Sequence, residues 1–385
     1  MSQNAGDMVQ VHMLTAYPAA LLNRDDAGLA KRIPFGGSTR VRISSQCLKK
    51  HWREAERIRG LGDQAVRSTR IYEQLVAEPL MEEHGATEQE ATAIAQYLMA
   101  ETVDTKPVKK DGVETARSGQ LLVLTRAETD FLAELGADIL RRLHEAGVTA
   151  TTAKDVKEKA PIEDKEIRKM LRERQLPASL DTALFGRMVT SDLFARVDSA
   201  VSVAHAFTTH AEEAETDYFT AVDTLKTSDD DAGAGLINDT ELTSGVFYTY
   251  AVLDMNQLRE NLVGHEPEFA ERLARNLVET MATVSPGAKR GSTAPFSRAE
   301  FVLLERGGEQ PRTLANAFLQ PVSVNGANVL ADSAEKLIEY RHELEEMYGD
   351  GDGRAALSTI HLVPTEGLER MPLRRALDSV FRTAE

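Results

Sequence analysis

Between Ala27 and Arg53 the chain has no aspartate or glutamate, while Lys31, Arg32, Arg40, Arg42, Lys49, Lys50 and Arg53 supply seven positive charges. Cations at that density, with serine and glutamine donors among them, suit the oxygens of a phosphate chain. A second chemistry is offered just upstream, where Asp25-Asp26 places two carboxylates side by side. Such a pair could hold a divalent metal and serve a ribonuclease. It could equally accept hydrogen bonds from turn N–H groups or pair with Arg24. The stretch Lys31-Arg32-Ile33-Pro34-Phe35-Gly36-Gly37 is glycine-rich, but no Gly-Lys-Ser/Thr follows, so it is not a Walker loop. His205 and His210 are five apart, on a strand and at its exit, a poor arrangement for a shared metal; His12 falls in a strand and is expected to be a hydrogen-bonded, partly buried residue. Cys47 is the only cysteine, which excludes an intrachain disulfide and a cysteine-based zinc site. No metal site, cofactor or catalytic residue is expected.

The elements that must position the cations can be read from local pattern. Arg40-Val41-Arg42-Ile43 alternates polar and apolar, predicting a half-buried strand with both arginines on one side. Ser44 or Ser45 then caps a helix over about Gln46 to Arg57. At 100° per residue Gln46, Lys49, Lys50 and Arg53 share one arc, with Leu48, Trp52 and Ala55 opposite and Cys47 off the cationic face. A strand end, a capped helix start and a basic helix face therefore converge.

Elsewhere the pattern predicts a first strand over Gln10 to Tyr17 and helices through residues 61–180, with capping boxes at Thr87-x-x-Glu90 and Thr125-x-x-Glu128 and a stop at Gly147. Strands are predicted over Asp181 to Val189, over Ala200 to Thr208 (Val201, Val203, His205 and Phe207 on one side), over Ser244 to Leu253, and near Phe301–Glu305 and Ile360–Val363. Residues 209–241 show no strong periodicity; residues 211–243 hold ten acids against Lys226, yet carry Tyr218-Phe219-Thr220 in their middle, which predicts an arm projecting from a sheet. Later helices are expected over Met255 to Leu262, Pro267 to Val284, Ala331 to Tyr348 and Pro372 to Thr383. Strands and helices out of strict βαβ alternation give an α+β class, a sheet of ferredoxin or RNA-recognition type interrupted by insertions.

The whole chain, 385 residues with a formal charge of −16, is too acidic for indiscriminate nucleic-acid binding. Apolar residues make up 42% and charged residues 28%, so wholesale disorder is excluded, and no apolar run is long enough to span a membrane. The N-terminal residues lack the basic flank and apolar stretch of a secretory signal, and a cytoplasmic protein is expected.

Several of these segments occur in the order of a known family. Asn23-Arg24-Asp25-Asp26, Phe35-Gly36-Gly37, Arg40-Val41-Arg42-Ile43-Ser44-Ser45-Gln46, Gly186-Arg187-Met188, Ala204-His205-Ala206, Thr208-Thr209-His210, Tyr218-Phe219-Thr220-Ala221-Val222-Asp223, Ser244-Gly245-Val246-Phe247-Tyr248 and Pro286-Gly287-Ala288-Lys289 carry the match. The chain resembles the CasC-type backbone subunit of the type I-E CRISPR Cascade surveillance complex. That resemblance implies an RNA-recognition-like (ferredoxin-like) palm over residues 1–60, 181–208 and 244–385, with the C-terminal helices in the last segment. It also implies inserted helical fingers over 61–180 and a β-hairpin thumb over 209–243. It implies copies stacked head-to-tail in a helical filament on CRISPR RNA, with other Cascade subunits, a target DNA strand and a recruited helicase-nuclease as partners.

Carried over by position, Arg24, Lys31, Ser44, Gln46, Lys49, Lys50 and Arg53 would hold the RNA backbone, and Arg42 joins them from the charge pattern. Met188 would be an apolar wedge at a kinked base. Tyr218, Phe219 and Thr220 would lie beside a displaced nucleotide, with Tyr218 where tryptophan is the family's residue. Such a subunit must accept any guide, so it reads phosphate and 2′-hydroxyl groups and leaves base edges free. Related subunits of type III complexes cut RNA with a palm-loop aspartate and a metal, which keeps an Asp25/Asp26 ribonuclease as the alternative. The type I-E resemblance weighs against it, because that family leaves cutting to the recruited nuclease. A DNA-binding regulator is a third class, but no helix-turn-helix or zinc signature is present.

Overall fold

The computed structural model describes residues 6–103, 105–162, 165, 167, 169–170, 178–187, 194, 196–212, 214–221, 236–326, 328–349, 353–361, 363–365 and 367–381. The chain divides into two compact units: Met1–Gly60, Val201–Asn256 and Glu266–Glu385 form one, and Leu61–Ala200 with Gln257–His265 the other. Its strands are β1 (Met8–Ala20), β2 (Arg32–Phe35), β3 (Ser38–Ile43), β4 (Val66–Ser68), β5 (Pro107–Lys110), β6 (Val113–Ser118), β7 (Leu122–Leu124), β8 (Val201–Val203), β9 (Ala206–Thr208), β10 (Ala214–Ala221), β11 (Leu236–Asp254), β12 (Phe301–Gly307) and β13 (Arg354–Thr359).

The first unit is built on a nine-stranded sheet with strand order β13-β12-β1-β11-β9-β3-β2, to which β8 and β10 add by pairing with β11. Every named pair in it is antiparallel. β1 lies inside the sheet between β12 and β11, with Val11 opposite Ala251 of β11 and Leu304 of β12, and its apolar residues are buried on both faces. Both faces are covered, so the polar Gln10, His12 and Thr15 are buried along with the apolar residues. On one face Leu14, Tyr248, Phe301, Leu303 and Leu357 form a core with Leu330, Ala334, Leu337 and Ile338 of the helix Val329–Tyr348. The arrangement is α+β, as the sequence pattern predicts. The acidic segment after residue 209 enters β10, which pairs with the first eight residues of the 19-residue β11, from Ala214↔Thr243 to Ala221↔Leu236.

The expected single strand over Ala200 to Thr208 is two short strands. Val203 pairs with Ala251 and Phe207 with Tyr248, so four steps on one chain face three on the other. That extra residue is a bulge. It breaks the alternation and leaves His205 exposed while Phe207 packs on Phe35, Tyr248 and Phe318. The last strand is Arg354–Thr359 instead of Ile360–Val363, because it is these residues that stand in register with β12, from Arg306↔Arg354 to Phe301↔Thr359.

A polar cluster is buried in this sheet. His12 is fully buried, with Nδ1 2.9 Å from the Tyr248 hydroxyl and Nε2 3.4 Å from Glu305. Glu305 accepts from Arg341 Nε at 3.0 Å and Arg312 at 3.3 Å. Burial lowers the His12 pKa against the opposing pull of Glu305. Burial pushes the Glu305 carboxyl up, but His12, Arg312 and Arg341 outweigh it and hold it at about 2.

Acid should therefore loosen this unit in two stages of one sign. The folded pKa of His12 lies below its unfolded value, so stability falls as pH drops below about 6.5. The contribution of Glu305, complete above its unfolded value of about 4.3, is lost from there down to about 2. Glu305→Gln should abolish the second stage and lower neutral-pH stability by about 2 kcal/mol, because Arg312 and Arg341 each lose a buried counter-charge but keep Glu345. Urea titrations of both chains at neutral pH and near pH 3 check this; equal stability at neutral pH would contradict it.

The second unit is mainly helical. Thr125 caps the helix Arg126–Glu145 in a reciprocal box with Glu128, and Gly147, with φ of +67°, follows its end. Thr87 and Glu90 make the same exchange at the helix Glu88–Val103. Leu98, Leu132, Ile139 and Leu143 are fully or nearly fully buried in its core. The expectation of helices alone misses two small sheets, β4 with β7 and β5 with β6. The second is a hairpin whose turn, Asp111-Gly112 at φ of +52° and +82°, is a strong local signal that the helical reading passed over.

A strand was expected over Asp181 to Val189 as a return to the sheet. The structure instead has a helix, Leu180–Phe185, within the second unit. The reason is visible in Asp181. Buried and joined to Arg67 and to Ala65 N (2.8 Å), it ties the segment to that unit, as does Arg187 paired with Glu128 at 2.5 Å.

Candidate nucleic-acid interface

β2 and β3 form a hairpin whose two-residue turn is Gly36-Gly37, at φ of +60° and +76°. Both residues need the left-handed region, and a Cβ on Gly36 would lie 1.7 Å from Leu319 O, so packing also requires glycine. The glycines serve the turn. β3 runs into Ser44, which stands in extended backbone and accepts from Cys47 N at 3.2 Å, capping the helix Ser45–Glu54. Ser44 N donates to Asn23 Oδ1 at 2.8 Å, so the upstream turn is fastened to the helix start. Leu48 and Trp52 are buried, Gln46 and Lys50 are exposed, and Lys49 and Arg53 are half-buried, in agreement with the predicted arcs. The first turn of the helix contains no acid.

Backbone bonds draw the cations together. Lys31 N donates to Asn23 O at 3.0 Å and Arg42 N to Lys31 O at 2.7 Å, while exposed Arg24 bridges to Ala30. The Arg42 guanidinium donates to Arg32 O at 3.1 Å and lies 3.0 Å from His205 Nδ1. Burial, then the charges of Arg42 and Lys31, pull the His205 pKa down, so this imidazole is neutral beside the cations at neutral pH. Burial pushes the Cys47 thiol up, against Lys50 and Lys31. A raised thiol is a poor nucleophile, as its position off the cationic arc suggests. Burial also lowers the Lys49 ammonium. Among the described residues Arg24, Lys31, Arg42 and Lys50 form no ion pair with an acid.

Two of the seven cations do not join this seam. Arg40, expected beside Arg42, is fully buried; it donates to Thr208 O at 2.9 Å and Phe318 O at 2.8 Å. Arg42 lies past the last pair of β2, Arg32↔Val41, and so reaches solvent where Arg40 cannot. Arg32 is joined to Glu212 at 2.5 Å and to Glu241, at the base of the β10–β11 ribbon. His205 and Asn23 are the members that sequence reasoning missed as part of the seam. Nothing local to either residue marks a neighbour so far along the chain.

The remaining candidates stand apart. Met188 lies outside the described residues. Tyr218, Phe219 and Thr220 fall on β10 opposite Asp239, Asn238 and Ile237, and their side chains lie outside the described residues. Asp25 Oδ1 accepts from Ala27 N and Leu29 N, both at 2.9 Å, the turn-acceptor arrangement. Among the described residues no group of three or more His, Cys, Asp or Glu could hold a metal ion. No helix among them is long and apolar enough to cross a membrane.

The fold is similar to those of solved structures. One, described as a "CRISPR RNA-guided surveillance complex, pre-nicking", matches over 97% of this chain and 100% of its own with a TM-score of 0.82 and 26% identity. Another, a "CRISPR RNA-guided surveillance complex", matches over 97% and 98% with a TM-score of 0.72 and 24% identity, a likeness of fold. No curated protein matches the sequence. The motif resemblance and these folds point the same way, and residues 9–382 match the family model described as CT1975-like protein: the chain belongs to that family.

Proposed function

We propose that this chain is a backbone subunit of a Cascade-type CRISPR surveillance complex, of type I-E, that binds the guide RNA along its sugar–phosphate chain and is not itself an enzyme. The observation that carries this reading is the seam formed by Arg24, Lys31, Arg42, Lys50 and the capped helix start at Ser44. Arg24 and Lys50 are exposed and Lys31 and Arg42 half-buried, none with an acidic partner among the described residues, inside a protein of net charge −16. Phosphate oxygens are the ligand that such a seam fits. Gln46 and the Ser44 hydroxyl, whose proton remains available after capping, add neutral donors suited to ribose oxygens. Lys49 and Arg53 continue the track along the same helix.

In this reading the nine-stranded sheet is an RNA-recognition-like palm. The helical unit is the fingers, with its boundary near residue 200, where the chain returns to the sheet. The β10–β11 ribbon is the thumb, which would bring Tyr218, Phe219 and Thr220 to a displaced nucleotide, with Met188 as the wedge. Copies stack head-to-tail along the guide, and the exposed bases pair with the target DNA strand. Other Cascade subunits and a recruited helicase-nuclease complete the cytoplasmic assembly. The turn bonds of Asp25 favour a structural role over the ribonuclease alternative.

Co-expression with the neighbouring operon should copurify one class of guide transcript, readable by sequencing. An assembly without any guide would sink the proposal. The purified chain should leave RNA intact with Mg²⁺; cutting that disappears in Asp25→Ala/Asp26→Ala would establish the enzyme instead.

A further inference from the structure

A second acid-free stretch lies far from the first in sequence: residues 280–299 contain no aspartate or glutamate, but include Lys289, Arg290 and Arg298. The seam does not use it. Within it, Phe296 is 71% exposed, an unusual position for a phenylalanine, with the Arg290 guanidinium 5.4 Å from the centre of its ring. The loop is held firmly. Ser285 Oγ donates to Ser297 O at 2.7 Å and accepts from Ser297 N at 3.0 Å, closing its neck. Ala294 stands at φ of +41°, a conformation that costs an alanine on the order of 1 kcal/mol and persists because its surroundings impose it. A displayed aromatic ring on a fixed loop has little entropy to lose on meeting a partner.

The loop is tied to the same run of residues that holds the seam. Ala288 N donates to Leu21 O at 3.0 Å, the Cys47 thiol lies 3.9 Å from Leu22 O, and Asn23 Oδ1 accepts from Ser44 N. Three consecutive residues thus fasten the loop, the helix and its cap.

We propose that the loop of residues 285–298 is a second nucleic-acid contact, in which Phe296 stacks on a base and Arg290 and Lys289 take the adjoining phosphate. The inference rests on the reading of the seam as a polynucleotide track and names where that track continues. A ring with a cation beside it matches an unpaired nucleotide, which offers a π-face and an anion a few ångströms apart. The strand could be the guide RNA or the DNA paired with it, because both present the same groups.

The test uses the full-length chain. Trp52 is the only tryptophan and is 1% exposed, so Phe296→Trp adds a single solvent-facing reporter. Mixed-sequence single-stranded RNA should quench that emission if the guide is the ligand; quenching only after complementary DNA is added assigns the contact to the DNA strand. Phe296→Ala should lower affinity for the same strand about 5- to 150-fold, the range for loss of one stacked base. No quenching in either arm, with Phe296→Ala binding like the parent while Lys49→Ala/Arg53→Ala binds weakly, would overturn the loop contact and leave the seam standing. If the parent chain binds no RNA, the reading of the seam fails first.

Discussion

Lys49→Ala/Arg53→Ala should bind guide RNA roughly 100-fold more weakly than the parent chain near 0.1 M salt, with nearly the same loss for unrelated guide sequences. The magnitude follows from removing two charge-assisted contacts at about 1.5 kcal/mol each. Sequence independence follows because both side chains sit on the helix face proposed to meet the guide's phosphates, and phosphates are the same in every guide. A second readout separates this from a general loss of fold. Each phosphate contact contributes about 0.7 to the slope of log affinity against log salt for a single strand, so the slope should flatten by about 1.4. Filter binding of two unrelated guides at four salt concentrations measures both quantities. A loss confined to one guide would mean that base edges are being read; an unchanged slope would mean that neither cation touches phosphate.

The half-burial of Lys49 bears on the same experiment. Its ammonium has less water to lose than one on a free stem, and burial already holds its pKa down. A phosphate at that position would restore the charged form, so binding should take up a proton at high pH. Lys49→Arg keeps the charge without the readily shifted pKa and should remove that uptake.

What the sequence made legible here is what it encodes within a few residues. The helix Ser45–Glu54 is specified by a serine cap, an apolar stripe of Leu48 and Trp52 and a polar arc, all inside one short span. Its start and its faces form as read, but it ends at Glu54, short of the expected Arg57, where Ala55 turns to extended backbone before the short helix Glu56–Arg59. The capping boxes at Thr87 and Thr125 are equally local. Arg40 shows where the reading stops. Two residues before Arg42 and of the same type, it carries no local mark of its fate. Its partners Thr208 and Phe318 are 168 and 278 residues away. Arg32 meets Glu212 and Glu241 at separations of 180 and 209, and His205 reaches Arg42 across 163. A charge run read along the chain therefore overstates the cations that face a ligand, because pairing across the sheet is set by strand order. The bulge between β8 and β9 is another non-local outcome, fixed by register against β11.

Arg40→Ala should lower the stability of the sheet unit by about 4 kcal/mol, whereas Arg42→Ala should change it by less than about 1 kcal/mol. Arg40 is fully buried, its two terminal nitrogens satisfy two carbonyls, and its guanidinium lies 5.8 Å from the centre of the Phe35 ring. Truncation leaves Thr208 O and Phe318 O without that donor, at about 1–3 kcal/mol each, and opens a cavity against the ring. Lysine cannot span both carbonyls, so Arg40→Lys should fall between the two. Arg42 donates its Nε to a backbone oxygen near the surface, where water can replace it, so its loss should appear in RNA affinity and hardly in melting. The pair thus divides the two jobs of one short strand. Thermal melts should show a drop on the order of 10 °C for Arg40→Ala and almost none for Arg42→Ala. The reverse order would place Arg40 at the ligand and Arg42 in the framework, and the seam would have to be redrawn further back along β3.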